Sequence, residues 1–477
     1  AQAKAKLPAM ERMRTAANAV EEQARVLGAH LKANDPVDLK RPTWTLEEAA
    51  AKQRQDADLE EIAMLSLVHG ALNRDPNLPE GREMLADYYA AKHRAAERAH
   101  DAPSAERWEV LLRAQGVAKY QHYLQGRGTL DLITRPANAQ VDLYSFREQD
   151  RILVPTFQRT LGTTPLLDVE LPIGSYLLKI RAQGRMEVTY PVVIRRDEHW
   201  HGRAPGTSAP FPIDLPKLGT LADDEIYVPA GWFEFGGDPV SLNPWPARQV
   251  WLDPYVIHRT HITTARYGAF LDALYRDGLH DLCQQANPGI RQPYFGRDAS
   301  GRHLPVPDPD GDLIEPGWPM VEVHPDQMDL YARWFSETTG QTWRLPSHAE
   351  WEKAARGVDG RWFPWGNKAD PTFSHNRKEG RLLPIDAGST PTDCSVYGLM
   401  DAGGNLSDLT RSRGKRGWVP PVVDGKVLDE GADLAGHNRI FVGYSFLTPA
   451  NGRICTRWLS LSSQPHSWIG FRLSRPL

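Results

Sequence analysis

The residues of this chain that could do chemistry are scattered, and few stand at a spacing that chemistry requires. Cys283, Cys394 and Cys455 lie far apart and match no metal-binding spacing. An odd, sparse count of three cysteines argues against a disulfide framework and favours a reducing compartment. His199 and His201 flank Trp200. Alternate residues on a strand share a face, so these two imidazoles could bind one metal. No third ligand is in view along the chain, and packing or hydrogen bonding is the expected role of the pair. Pro307–Asp312 reads PDPDGD, in which Asp308, Asp310 and Asp312 keep the acid spacing of a calcium loop. Leu313 takes the place of that loop's glycine and Gly311 comes one position early, which leaves a solvated acidic turn as the expectation. His258 and His261 sit beside a threonine helix cap (Thr263 or Thr264) and are expected to be structural.

Several domains must position these residues, because 477 residues are too many for one core. Residues 1–125 are dominated by Ala, Glu, Arg and Leu and read as helical. Thr45 with Glu48 has the form of a capping box that opens a helix. Asp58–Leu72 is apolar-periodic, and NRDPNLPEG (Asn73–Gly81) is a turn. The next helix sets Leu85, Ala86, Tyr89, Ala91 and Ala96 at packing positions. The pair resembles one tetratricopeptide-like hairpin without a second copy, expected as a spacer or packing layer, with a partner-binding surface as the alternative. Residues 126–200 alternate in period two and read as a small β-sandwich. Residues 201–221 form a linker, since Arg203–Gly219 is rich in Pro, Gly and Ser. From 222 to 477 strands and helices mix. There Pro319–Val323 is strand-like, and Met328, Tyr331, Ala332, Trp334 and Phe335 mark a helix that Gly340 stops. Ser347 with Glu350 caps the next helix, which ends at Gly357, and Pro364–Gly366 is a tight turn.

RLPSHAEWEKAARG (Arg344–Gly357) followed by PWG resembles the formylglycine-generating enzyme (sulfatase-modifying factor) family, whose domain is a variant of the C-type lectin fold. The resemblance extends over 222–477. It includes the opening DDEIYVPAGWFEFGGD, then Tyr397, Gly398, Leu399, Gly404, Asn405 and Thr410, and the closing Gly470, Phe471 and Arg472. Residues 126–200 resemble the PEGA domain, with turns at Pro136, Gly162 and Gly174. The expected fold class is therefore α+β multidomain: a helical region, a PEGA-like sandwich and a C-type-lectin-like domain. The family's catalytic members bind copper(I) through two cysteines, and soft thiolates are what copper(I) requires. Those places fall here at Thr448 and Arg453, while Cys455 is out of register and without a partner cysteine. A second branch uses iron held by a His-x3-His-x-Glu pattern, and His30, His69, His93 and His100 do not offer it. The family often holds structural calcium near its GN-x-x-EW element. Here Asp408 and Leu409 replace Glu-Trp, and Asn405 and Asp408 are the candidate calcium ligands the resemblance implies.

What such a frame offers without its thiols is a binding surface. Gly443–Trp468 supplies Tyr444, Asn451, Arg453, Trp458, Ser460, Ser462, Gln464, His466 and Trp468, the composition of adaptable recognition surfaces. About half should be core if the strands alternate. Variable proteins of diversity-generating retroelements, which diversify such a segment on this fold, are similar in its placement. The domain order is similar to the region after the kinase domain in some bacterial serine/threonine kinases. The chain begins AQAKAKLPAM, as if cut from a longer protein. Kinase signatures are absent here, so a kinase would precede Ala1. The expectation is non-catalytic recognition of a protein or peptide; the alternative is a copper- or iron-dependent oxidase. A net charge of -4 gives no reason to expect nucleic acid or an anionic membrane as partner. No run of ~18 apolar residues exists to span a membrane. The expected state is soluble, with the cytoplasm favoured unless a membrane span lies upstream. Ligand identity and oligomeric state are not written in the sequence.

Overall fold

The computed structural model describes the chain except for residues 1, 29–30, 33, 99–100, 308–310, 313, 378–379, 381, 416–418, 429–437, 449–451 and 460–463. Two compact units result, Ala1–Gly126 and Arg127–Leu477. Among the described residues no helix is long and apolar enough to cross a membrane.

In the first unit α1 (Gln2–Gly28) and α2 (Val37–Arg74) run antiparallel, since Lys6 pairs with Glu60 and Glu21 with Arg54. Met10, Ala17 and Ala24 of α1, and Ala50, Ala57 and Met64 of α2, are buried at the heptad interval of a close-packed helix pair. That packing carries α2 straight through Thr45, which caps nothing and donates its hydroxyl to Arg41 O at 3.0 Å. The capping-box expectation fails here because long-range packing overrides a local signature. α3 (Pro79–Arg98), α4 (Ala102–Ala114) and the short α5 (Gln121–Gln125) gather around Val68, Leu85, Tyr89, Leu112 and Tyr123. Ala91 is exposed, and Ala90 takes the packing position expected of it.

Besides the two-residue strand Thr134–Arg135, the second unit opens with seven strands: β1 (Arg127–Leu132), β2 (Gln140–Gln149), β3 (Ile152–Thr163), β4 (Leu166–Pro172), β5 (Gly174–Arg181), β6 (Val188–Ile194) and β7 (His199–Trp200). They form a three-stranded sheet, β4-β1-β7, and a four-stranded sheet, β3-β2-β5-β6. Leu130, Val141, Leu143, Leu178 and Ile180 point into one shared core. The segment expected as a linker, 201–221, is fastened to this sandwich. Ile213 and Leu215 are buried in its core, and Ile213–Asp214 runs parallel to Thr134–Arg135. Its Pro, Gly and Ser residues suit irregular backbone, but two apolar residues at alternate positions peg it down.

The lectin-like part continues with β8 (Glu225–Val228), β9 (Gly231–Phe235), β10 (Arg248–Leu252) and β11 (Tyr255–His258). Four helices follow: α6 (Thr264–Arg276), α7 (His280–Ala286), α8 (Pro325–Thr339) and α9 (His348–Arg356). β12 (Ser407–Gly414), β13 (Asn438–Val442), β14 (Arg457–Leu459), β15 (Ile469–Gly470) and β16 (Ser474–Pro476) close the fold. The main sheets are β8-β11-β16, the hairpin β9-β10, and β14-β13-β12-β15, whose last pair is parallel. Pro319–Val323, expected as a strand, makes one isolated bridge, from Pro319 to Thr263. Glu322 at φ +57° interrupts the extended run.

α9 carries the RLPS…AARG motif and is buried on every side: each of its nine residues lies inside. A helix this deeply set should be apolar, so each of its charges needs a partner. Glu350 closes the Ser347 capping box and is gripped by Arg344 at 2.8 and 2.6 Å. Glu352 accepts the Gly236 N–H at 2.7 Å. Lys353 donates to Pro229 O and Gly231 O at 2.8 and 3.0 Å. Arg356 donates to Gly236 O at 3.0 Å and to Glu352 at 3.1 Å.

Candidate functional site

The turn after β13 holds Thr448, the first of the two positions at which the family resemblance implies a cysteine in catalytic members. Thr448 closes that turn: its hydroxyl donates to Ser445 O at 2.6 Å and accepts the Ser445 N–H at 2.9 Å. At the second position the Arg453 guanidinium meets both oxygens of Asp238, at 2.5 and 2.6 Å. Asp238 is fully buried and also accepts from Ser241 Oγ at 2.8 Å and Val240 N at 3.0 Å. The faces of Trp362 and Phe363 lie 5.2 and 5.6 Å from the same guanidinium. One position is thus a structural hydroxyl and the other an ion pair, and neither supplies a soft ligand.

Cys455 does not replace them. Its sulfur is buried against Gly236 O (3.3 Å), Glu352 (3.6 Å) and the Arg356 guanidinium. Burial, with the Glu352 carboxylate beside it, pushes this thiol well above the ordinary range, so it stays protonated. Burial also raises Cys283 and Cys394. The residues present do not fit a bis-thiolate copper centre.

Calcium does not fit the expected place either. Asn405 is fully buried, with Oδ1 accepting Ile385 N at 3.2 Å and Nδ2 donating to Ile385 O at 3.1 Å. The buried Asp408 carboxylate takes Arg472 Nε at 3.0 and 2.9 Å and Trp351 Nε1 at 2.7 Å. Arg472 of the closing GFR therefore supplies the positive charge that a cation would have brought, and the expectation for Asn405 and Asp408 is corrected accordingly. His261 joins this cluster, 3.4 Å from Asp408, while burial drives His258, stacked on Trp343 at 4.5 Å, well below the usual imidazole range.

The expected recognition residues separate into three groups. Tyr444 is core, only 5% exposed, with its hydroxyl 2.9 Å from Thr456 Oγ1, and Arg453 is held by Asp238. Both are corrected as free ligand contacts, because the Tyr444 hydroxyl and the Arg453 Nη1 are already bound within the protein. Asn451, Ser460 and Ser462 lie outside the described residues. Trp458, Gln464, His466 and Trp468 keep exposed or half-exposed surface. Trp458 on β14 stacks on Phe441 at 6.1 Å and 6°, and His466 lies 4.7 Å from the Trp468 ring. Since β14 and β15 are opposite edges of one four-stranded sheet, Trp458 and Trp468 flank it, roughly 14 Å apart by strand spacing.

A model of the sulfatase-modifying factor enzyme 1-like domain matches residues 214–477, more than half of the chain. The chain belongs to this family. A formylglycine-generating enzyme of Thermomonospora curvata is 26% identical over 301 residues, 55% of this chain and 97% of that protein. Its counterpart in Mus musculus is 28% identical over 244 residues, 43% of this chain and 61% of that protein. The inactive C-alpha-formylglycine-generating enzyme 2 of Bos taurus is 33% identical over 107 residues, 20% of this chain and 33% of that protein. Among solved structures, PvdO from Pseudomonas aeruginosa aligns with a TM-score of 0.41 at 23% identity, covering 54% of this chain and 96% of its own. Treponema denticola variable protein 1 aligns with a TM-score of 0.38 at 16% identity, covering 53% and 95%.

Within this sulfatase-modifying factor fold, sequence reasoning missed Asp238 and Phe441. Asp238 stands 215 residues from its partner, and no spacing rule reaches that far. Phe441 sits on a strand whose register with Trp458 appears only once β13 and β14 pair. A cavity of about 330 Å³ opens beside the N-terminus of α9, lined by Trp245, Trp251, His348, Arg411 and Arg413 among others. None of the expected recognition residues lines it.

Proposed function

We propose that this chain is a non-catalytic recognition protein that uses the C-terminal part of a sulfatase-modifying factor fold to bind a protein or peptide ligand. Its support is Arg453, which stands where a catalytic thiol would and is locked to the buried Asp238. A relative named as inactive shows that similar sequence also occurs in a protein without the activity. The contact residues are Trp458 on the β14 edge of the β14-β13-β12-β15 sheet, with Phe441 beside it on β13, and Gln464, His466 and Trp468 beyond the other edge. Aromatics supply contact area at low entropic cost, and polar neighbours supply hydrogen bonds. In its finer forms the reading makes residues 443–470 a diversified segment, or makes the chain the sensor region of a kinase. A near-repeat of the codons for 443–470 beside a reverse transcriptase distinguishes the first; a kinase encoded upstream distinguishes the second.

Two measurements test the proposal. Freshly purified chain, loaded with copper(I) or iron(II) and given a cysteine-containing peptide, should consume no oxygen beyond the free metal control. Peptides selected from a displayed random library on the wild-type chain should bind Trp458→Ala or His466→Ala at least about 10-fold more weakly, the scale of an interface hot spot. Metal-dependent oxygen uptake would establish the oxidase instead. Equal binding by both variants would remove this surface from consideration.

A further inference from the structure

His199 and His201 alone lack a third metal ligand, and the fold supplies two carboxylates. β7 lies parallel to β1, with Thr129 opposite His199, and β4 pairs on the other side of β1. This brings Asp131 of β1, Asp168 of β4 and His199 of β7 together. One ligand atom from each lies within 4.8 Å of the other two. His199 Nε2 is 3.0 Å from Asp131 Oδ1, and the backbone N–H of Asp168 donates to that same oxygen at 2.9 Å. A separation near 3 Å is the edge expected between neighbouring ligands bound about 2.1 Å from one ion.

The charge of the cluster favours a cation. Asp131 is 7% exposed and Asp168 is exposed, and among the described residues neither pairs with a lysine or arginine. Two carboxylates this close repel unless a positive charge sits between them. Two imidazoles, His199 and His201, neighbour these carboxylates, and a neutral imidazole is a metal ligand. His201 is excluded from the set. Its Nδ1 accepts the Arg203 N–H at 2.9 Å, which leaves the proton of the neutral ring on Nε2.

We propose that Asp131, Asp168 and His199 form a binding site for one divalent transition-metal ion, independent of the recognition surface. Two carboxylate oxygens and one imidazole nitrogen suit zinc or manganese, with water completing the shell on the exposed side of Asp168. An all-oxygen preference makes calcium and magnesium poorer occupants. The ion would clamp three strands of one sheet.

The test uses the full chain, stripped with chelator and dialysed against zinc or manganese. One ion per chain should bind saturably and raise the melting temperature. Asp168→Asn should weaken binding at least about 10-fold, the lower bound for losing even an outer-shell partner of a metal. This variant keeps the fold, because Asp168 is exposed and has φ +51°, where asparagine is well tolerated. His199→Gln should give the same loss, together with loss of the visible absorption of a cobalt-substituted wild-type site. Absence of saturable binding up to ~1 mM metal, an affinity of only about 4 kcal/mol, overturns the proposal. So does stoichiometric binding that Asp168→Asn retains, since the ion would then sit elsewhere.

Discussion

Replacing Arg453 by methionine should destabilise the lectin-like part far more than a surface change would. The Arg453 side chain is 18% exposed and Asp238 is fully buried, so methionine leaves a carboxylate whose donors among the described residues are Ser241 Oγ and the Val240 N–H. Removing one partner of a buried ion pair costs about 3–5 kcal/mol, because the other charge stays desolvated. Methionine keeps the packing against Trp362 and Phe363, which isolates the electrostatic part of the loss. The assay is equilibrium urea unfolding of the full chain, followed by tryptophan fluorescence. A double-mutant cycle completes it. Asp238→Asn combined with Arg453→Met should cost less than the sum of the single changes by about 1–3 kcal/mol, as for directly interacting residues. If Arg453→Met unfolds within about 0.5 kcal/mol of the wild type, the range of ordinary surface changes, then Arg453 is not committed to Asp238. It would return to the list of ligand contacts.

Two further outcomes follow from buried groups. Burial lowers Lys353 from an ordinary 10.5 to about 7. The unfolded chain therefore takes up this proton near 10.5 and the folded chain only near 7, so the stabilising contribution is present at high pH and is lost as pH falls between those values. Relative to Lys353→Met, wild-type stability should rise between pH 7 and 9 by up to about 1.4 kcal/mol per pH unit; a flat difference refutes the assignment. Gly404→Ala should destabilise by about 1–3 kcal/mol through overpacking, since its Cβ would lie 2.4 Å from His375 O and 2.9 Å from His375 N. Gly70→Ala in α2 meets nothing within 4 Å and is the control, expected to be neutral or stabilising in the same thermal melt.

Features fixed by residues a few positions apart could be read from sequence. The Ser347–Glu350 box, the Gly340 stop and the α2–α3 turn all rest on local backbone chemistry. Misreadings came where distant contacts decide. Thr45 and Glu48 have a capping signature but lie exposed within α2, which the buried seam of Thr43, Ala50, Ala57 and Met64 carries past them. Pro319–Val323 has strand composition, and a single left-handed residue, Glu322, interrupts its extended backbone. Asp408 resembles a calcium ligand until Arg472, 64 residues later, is seen to hold it. The recognition segment was the least legible part, because whether an aromatic faces core or solvent depends on sheet register, which composition does not encode. Tyr444 and Trp458 illustrate this: similar residues in sequence, one sealed inside and the other at a sheet edge.

The complete burial of α9 also constrains how the domain assembles. Lys353, Arg356 and Glu352 mate with Pro229, Gly231 and Gly236, more than a hundred residues earlier in the chain. Until those carbonyls and amides are in place, water must solvate these charges, and the helix cannot enter the core alone. Its docking is therefore coupled to formation of β9, which makes it a late, cooperative step dominated by loop closure. A partly folded chain should leave the α9 segment hydrated, with the Trp351 indole N–H exchanging freely until Asp408 of β12 accepts it.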